Sequence, residues 1–211
     1  MPRTLTLDTI VLKVHDVGEA DRFCIVFTKE RGKMAIRARG VRKPGSRLGG
    51  TLLPLRRITM HVKASSTGYI VTDASIAGEI LGNDVRAFLH AQQGIELLLL
   101  SLHDEEPLPE LFDATAGFLE RCFRGADHTV LPYTLRMLHL LGLLPDTGNI
   151  RFSRCSPNQM IYIQKSMEGN WESLPALLQK EKEFFSPVCA ELLSEALSRA
   201  PRAGVIAQAM R

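Results

Sequence analysis

Lys33-Met34-Ala35-Ile36-Arg37-Ala38-Arg39-Gly40 alternates over the length of one β-strand. A period of two puts Lys33, Arg37 and Arg39 on one face and Met34, Ile36 and Ala38 on the other. Three cations on one face cannot enter a core without partners, so the core lies on the side of Met34, Ile36 and Ala38. More short strands flank this one. Thr9–Val14 is β-branched and partly alternating, with a turn at Gly18, and Phe23–Thr28 is a second apolar run. The tight turn Lys29-Glu30-Arg31-Gly32 joins that run to the quoted strand, with Gly32 suited to a positive φ. Beyond it, Val41–Thr51 reads as a loop rich in Gly and basic residues. Leu55–Lys63 reads as a strand with Ile58, Met60 and Val62 on one face, and Gly68–Thr72 as another. Five short strands with no helical pattern between them predict a small barrel, and strand count alone suits an SH3-like barrel nearly as well.

Helical periodicity takes over after Asn83. The spacing predicts helices over Asp84–His103, capped by Asn83 or Asp84, over Pro107–Phe123, and over Thr129–Leu144, which stops at Gly142-Leu143-Leu144-Pro145-Asp146. Met160-Ile161-Tyr162-Ile163-Gln164 reads as a strand in a hairpin with Ile150-Arg151-Phe152-Ser153. Two more helices are expected over Trp171–Lys182 and Pro187–Arg199. The predicted class is α+β, with a barrel domain over 1–80 and an α-helical domain over 81–211.

Charge divides the chain at the same place. Residues 1–80 hold fourteen Lys/Arg and seven Asp/Glu, and residues 81–211 hold twelve and sixteen, so +7 and −4 make up the net +3. Such asymmetry suggests two domains with different partners. The N-terminal residues lack the apolar core of a signal peptide, and no apolar run approaches the roughly 20 residues of a membrane helix. These features predict a soluble, cytoplasmic protein. Cys24, Cys122, Cys155 and Cys189 are scattered without C-x-x-C spacing and read as free thiols in a reducing compartment. No histidine pair has metal-ligand spacing, and no phosphate-binding loop or nucleophile elbow is present. No catalytic residue, cofactor or metal is expected. His103-Asp104-Glu105-Glu106 reads as a solvated helix end rather than a catalytic cluster.

From Lys29 to Lys63 the chain carries eleven basic residues and one acid, Glu30. So many like charges repel one another, and a polyanion relieves that repulsion while releasing its own counterions. Arg31, Lys33, Arg37, Arg39, Arg42, Lys43 and Arg47 are the candidate cationic surface, with Arg56 or Arg57 at its margin because adjacent strand residues face opposite ways. A solvated face that protects a strand edge is the competing account. Aromatics are scarce in this half, and Phe23 and Phe27 both read as core, so the expected contacts are to phosphates rather than to stacked bases. If about six of these cations meet phosphates, log K should fall with log salt at a slope of roughly −4 to −5.

Thr9-Ile10-Val11-Leu12, Gly18-Glu19-Ala20-Asp21-Arg22, Phe27–Lys33 and Ala38–Leu48 together resemble, in order and spacing, the N-terminal domain of the bacterial recombination mediator family RecO. Leu140–Asp146 is similar to the stretch that precedes that family's zinc-finger region. The resemblance implies an OB-fold followed by an α-helical domain. It also implies binding of single- and double-stranded DNA, annealing of complementary strands, and help in loading recombinase onto strands coated by SSB. Implied partners are RecR and the acidic C-terminal tail of SSB, and the implied location is the nucleoid. Many members carry a four-cysteine zinc site, but residues 145–165 supply only Cys155, so a degenerate, zinc-free region is expected there. Arg121, Arg124, Arg136 and Arg154, near apolar helices, are candidates for the SSB tail. The alternative is an OB or SH3-like adaptor that binds RNA or an acidic protein.

Overall fold

The computed structural model describes residues 4–78, 84–126 and 129–199. Five strands form its first part: β1 (Thr4–Val17), β2 (Asp21–Thr28), β3 (Gly32–Ala38), β4 (Arg57–Ser65) and β5 (Gly68–Ile76), with a short helix α1 (Arg47–Thr51) between β3 and β4. They close into a barrel in the order β1-β2-β3-β5-β4. The long β1 makes closure possible because it serves two neighbours. Its first half pairs with β4, Thr4 opposite Lys63 through Ile10 opposite Arg57, and its second half pairs with β2 up to Val17 opposite Asp21. A bulge between Val11 and Lys13 bends the strand where it changes partners. The final seam is the parallel pairing of Ile36 with Tyr69 and Arg37 with Ile70. This topology is the five-stranded OB-fold.

Strand alternation fills the barrel. On β3 the buried residues Met34, Ile36 and Ala38 alternate with Lys33, Ala35 and Arg37, as its sequence pattern predicts. Val11, Cys24, Val26, Ile58, Met60 and Val62 complete the interior, and Val41 and Leu52 from the β3–β4 connection pack against it. Burial in this apolar interior pushes the Cys24 thiol up to about 11, so it stays protonated at neutral pH.

Two helices pack with the barrel in one compact unit, Met1–Val130. Asp84 caps α2 (Val85–Ser101) by accepting from the Arg86 and Ala87 amides, whereas Asn83 lies outside the described residues. Pro109 opens α3 (Pro109–Phe123), where its missing N–H costs nothing. The buried stripe of α3 includes Phe112, whose ring meets Phe27 of β2 at 5.6 Å. Between α2 and α3 the chain lies along the start of β3. The Glu105 amide donates to the Lys33 carbonyl at 2.9 Å, and the Lys33 ammonium donates to the Leu102 carbonyl at 2.7 Å.

The second unit, Leu131–Arg211, takes in most of α4 (Val130–Leu140) together with α5 (Pro157–Glu168), α6 (Gln179–Glu183) and α7 (Phe185–Arg199). Its core gathers Leu135, Leu138, Phe152, Tyr162, Ile163 and Phe185. Two expectations fail here. Met160–Gln164 is not a strand but the middle of α5. A capping box at Ser156 and Gln159, Pro157 in the first turn and Gly169 in a left-handed C-cap bracket twelve residues as a helix. Within it, buried Gln159, Tyr162, Ile163 and Ser166 recur at helical spacing, while Ile161 is exposed. Its supposed hairpin partner is a 3-10 turn, Ile150–Phe152, capped by Asn149. The helix expected over Trp171–Lys182 is likewise interrupted. Only the 3-10 turn Trp171–Ser173 and α6 form, because Pro175 has no amide to donate to a helical ladder.

Thiol labelling checks this packing. Cys24, Cys122 and Cys189 are buried and Cys155 is half-buried, and burial raises each thiol, Cys189 to about 11. Cys155 should react first with a neutral-pH alkylating reagent, and the other three only on unfolding. Prompt modification of Cys24 in the folded protein would contradict the barrel core.

Candidate nucleic-acid interface

The cations of the Lys29–Lys63 stretch separate into groups along β3. At its start, Lys33 meets Asp104 at 3.1 Å, Arg31 meets Glu105 at 4.0 Å and lies over the Tyr69 ring, and Lys29 meets Asp113 at 2.8 Å. These acids come from the α2–α3 connection and from α3. Arg57, at the start of β4, donates through two nitrogens to the Asp8 carboxylate at 2.7 and 3.1 Å, and its guanidinium stacks on Phe112. Glu120 stands 3.9 Å from it. The hydrogen bonds to Asp8 hold this guanidinium charged even more firmly than usual. Arg56 donates to the Gly50 carbonyl.

The far end of β3 differs. Asp21 accepts from the Gly40 amide at 2.8 Å and from Arg37 at 2.7 and 2.9 Å. The Gly40 amide, then Arg37, hold its carboxyl below the usual carboxylate range. Arg42 reaches Asp16 at 3.3 Å and the Gly18 carbonyl at 3.0 Å, and its amide bonds to Ala20. The β1–β2 turn and the β3–α1 loop are therefore tied into one rim. Arg39, Lys43 and Arg47 stand exposed on this rim, and among the described residues none of their side chains has an ion pair or hydrogen bond. The Lys43 stem passes over Gly40, within 3.7 Å of where a β-carbon would sit.

Of the nine sequence-selected cations, the rim thus gathers Arg37, Arg39, Arg42, Lys43 and Arg47. Arg31 and Lys33 face acids of the α2–α3 connection, Arg57 pairs with Asp8 of β1 beside Glu120 of α3, and Arg56 donates to the Gly50 carbonyl. Counting charge along the chain overstated the surplus because the neutralising acids lie elsewhere in sequence, at Asp8, Asp16, Asp21, Asp104, Glu105, Asp113 and Glu120. Exposed pairs such as Arg42–Asp16 are worth about 0–1 kcal/mol, so a phosphate can compete for them. The Arg57 contacts combine a two-point ion pair with ring stacking and are harder to exchange.

Phe23 also departs from expectation. Cys24 and Val26 point into the barrel, so Phe23 points outward and is 36% exposed, whereas Phe27 is core. Parity puts Phe27 on the same outward face of β2 as Phe23, and Phe27 is buried because Phe112 of α3 packs on it, so the pattern of β2 alone does not separate the two rings.

A family model described as recombination protein O N terminal matches residues 1–78, and one described as recombination protein O C terminal matches residues 82–168. The chain belongs to the RecO family. The proteins named DNA repair protein RecO in Myxococcus xanthus and Exiguobacterium sibiricum are each 31% identical to it. The first match covers 71% of this chain and 61% of the relative, the second 64% and 56%. The Bacillus subtilis protein of the same name is 29% identical over 66% of this chain and 56% of its own length. The chain thus spans about six tenths of the length of the curated relatives it matches.

Residues 145–165, where a degenerate zinc-finger region is expected, include the 3-10 turn Ile150–Phe152 and the first turns of α5. Among the described residues no group of three or more His, Cys, Asp or Glu could hold a metal ion. Of the other candidates, Arg121 and Arg124 belong to the end of α3 in the first unit, and Arg136 and Arg154 to the second. Arg121 and Arg124 have interaction partners of their own, and the Arg136 side chain runs beside Gly169. No described helix is long and apolar enough to cross a membrane.

Proposed function

We propose that this RecO-family chain is a DNA-repair and recombination mediator that binds DNA through phosphates, without sequence preference. In this reading it anneals complementary strands and assists recombinase loading on SSB-coated single strands. The observation that carries the proposal is the trio Arg39, Lys43 and Arg47, exposed and without ion pairs on one rim of an OB-fold. Annealing brings two polyanions together, and a cationic rim lowers their repulsion by displacing counterions. No bond is made or broken, so the proposal asks for no catalytic residue, cofactor or metal. Arg37 and Arg42, held by exchangeable aspartate pairs, would extend the contact once DNA arrives.

RecR and the acidic SSB tail are the proposed partners, in the cytoplasm and at the nucleoid. A tail of acids and aromatics needs an apolar seat rimmed by cations, for which Arg121, Arg124, Arg136 and Arg154 remain the candidates.

Strand annealing tests the proposal. The protein should accelerate pairing of complementary oligonucleotides at low salt, and the acceleration should fade as salt rises. Binding without any acceleration would favour a simple adaptor instead.

A further inference from the structure

One row of side chains crosses three strands on the outside of the barrel. His15 of β1 stands opposite Phe23 of β2, and Phe23 stands opposite Arg37 of β3. Directly opposed residues on one sheet face have β-carbons only about 5 Å apart, so the ring is flanked on both sides. The neighbouring row is Lys13, Ile25 and Ala35, of which Lys13 and Ala35 are exposed. Ala35 is small and leaves open surface beside the ring. Asp21 pairs with the Arg37 guanidinium at 2.7 Å, and Arg39 follows, exposed, in the turn after β3.

Single exposed apolar residues are ordinary and need no explanation. Phe23 differs in its setting: an aromatic ring opposite Arg37, with Lys13 in the next row and the exposed Arg39 in the turn that follows β3. We propose that Phe23 is a stacking platform for an unpaired nucleobase and the residue that makes this face prefer single strands to duplex. The inference rests on the nucleic-acid reading above and adds a contact to bases. A base held inside a duplex cannot lie on the ring, whereas a base from a single strand whose phosphates follow Arg39 and Lys43 can. The cations around the ring favour a nucleic acid over an apolar protein segment.

The test compares the unsubstituted protein with Phe23→Ala and Phe23→Trp on an oligothymidylate, an abasic strand of equal length and a blunt duplex. Phe23→Ala should weaken oligothymidylate binding roughly tenfold or more and leave the other two within about twofold. Phe23→Trp should restore binding, because the position is exposed and needs only a ring. Equal losses on all three probes, or no loss on any, would overturn the stacking role while leaving phosphate binding intact. If the unsubstituted protein bound none of the probes, the nucleic-acid reading would fall and this inference with it.

Discussion

Gly32→Ala should destabilise the first unit by roughly 3 kcal/mol or more, read as a lowered denaturation midpoint. Gly32 opens β3 at a φ of 71°, and a β-carbon there would lie 2.0 Å from the Glu106 carbonyl oxygen and 2.4 Å from its carbon. Those are backbone atoms, and they cannot rotate away. The α2–α3 connection would have to leave β3, giving up the Glu105–Lys33 backbone bond and the Lys33 contacts to Leu102 and Asp104. Gly18→Ala is the matched control. Its φ of 59° is equally left-handed, but nothing lies within 4 Å of the added carbon. That substitution should cost only the backbone term, about 1–2 kcal/mol. Equal costs at the two positions would mean that the connection does not bear on Gly32.

The same region shows how far the sequence could be read. The alternation at Lys33–Arg39 gave β3, its inner face and the barrel, because a half-buried strand writes its period into residue type. The helix α5 was not legible as a helix, since two isoleucines and a tyrosine close together resemble a strand. What decides it is the capping chemistry at Ser156, Gln159 and Gly169, which lies outside the apolar run. The basic stretch was visible as a count of charges, but its neutralisation was not. Asp21 and Asp16 reach Arg37 and Arg42 only through strand pairing, and Asp104 reaches Lys33 only because the α2–α3 connection returns to β3. Tertiary contacts therefore selected Arg39, Lys43 and Arg47 out of a set that sequence presented as equivalent.

Replacing Arg39, Lys43 and Arg47 together with alanine should weaken single-strand binding on the order of a hundredfold at about 0.1 M salt. Each cation lost removes one counterion-releasing contact, and at that salt each contact is worth about fivefold. The fold should be untouched, since among the described residues none of the three side chains has an ion pair or hydrogen bond. Arg57→Ala should do the reverse. It removes the Asp8 pair and the stacking on Phe112, lowering stability, and leaves DNA affinity nearly unchanged because that guanidinium is already engaged. An inverted result, with Arg57 governing affinity, would move the interface to the other side of the barrel.

The most direct measurement is the salt dependence of single-strand binding, taken on the unsubstituted protein and on the triple alanine variant. Log K should fall steeply with log salt for the first, and the slope should be shallower by about 2 for the second, near 0.7 for each lost phosphate contact. Parallel slopes for the two proteins would contradict the account, because Arg39, Lys43 and Arg47 would then not be the groups that meet the phosphates.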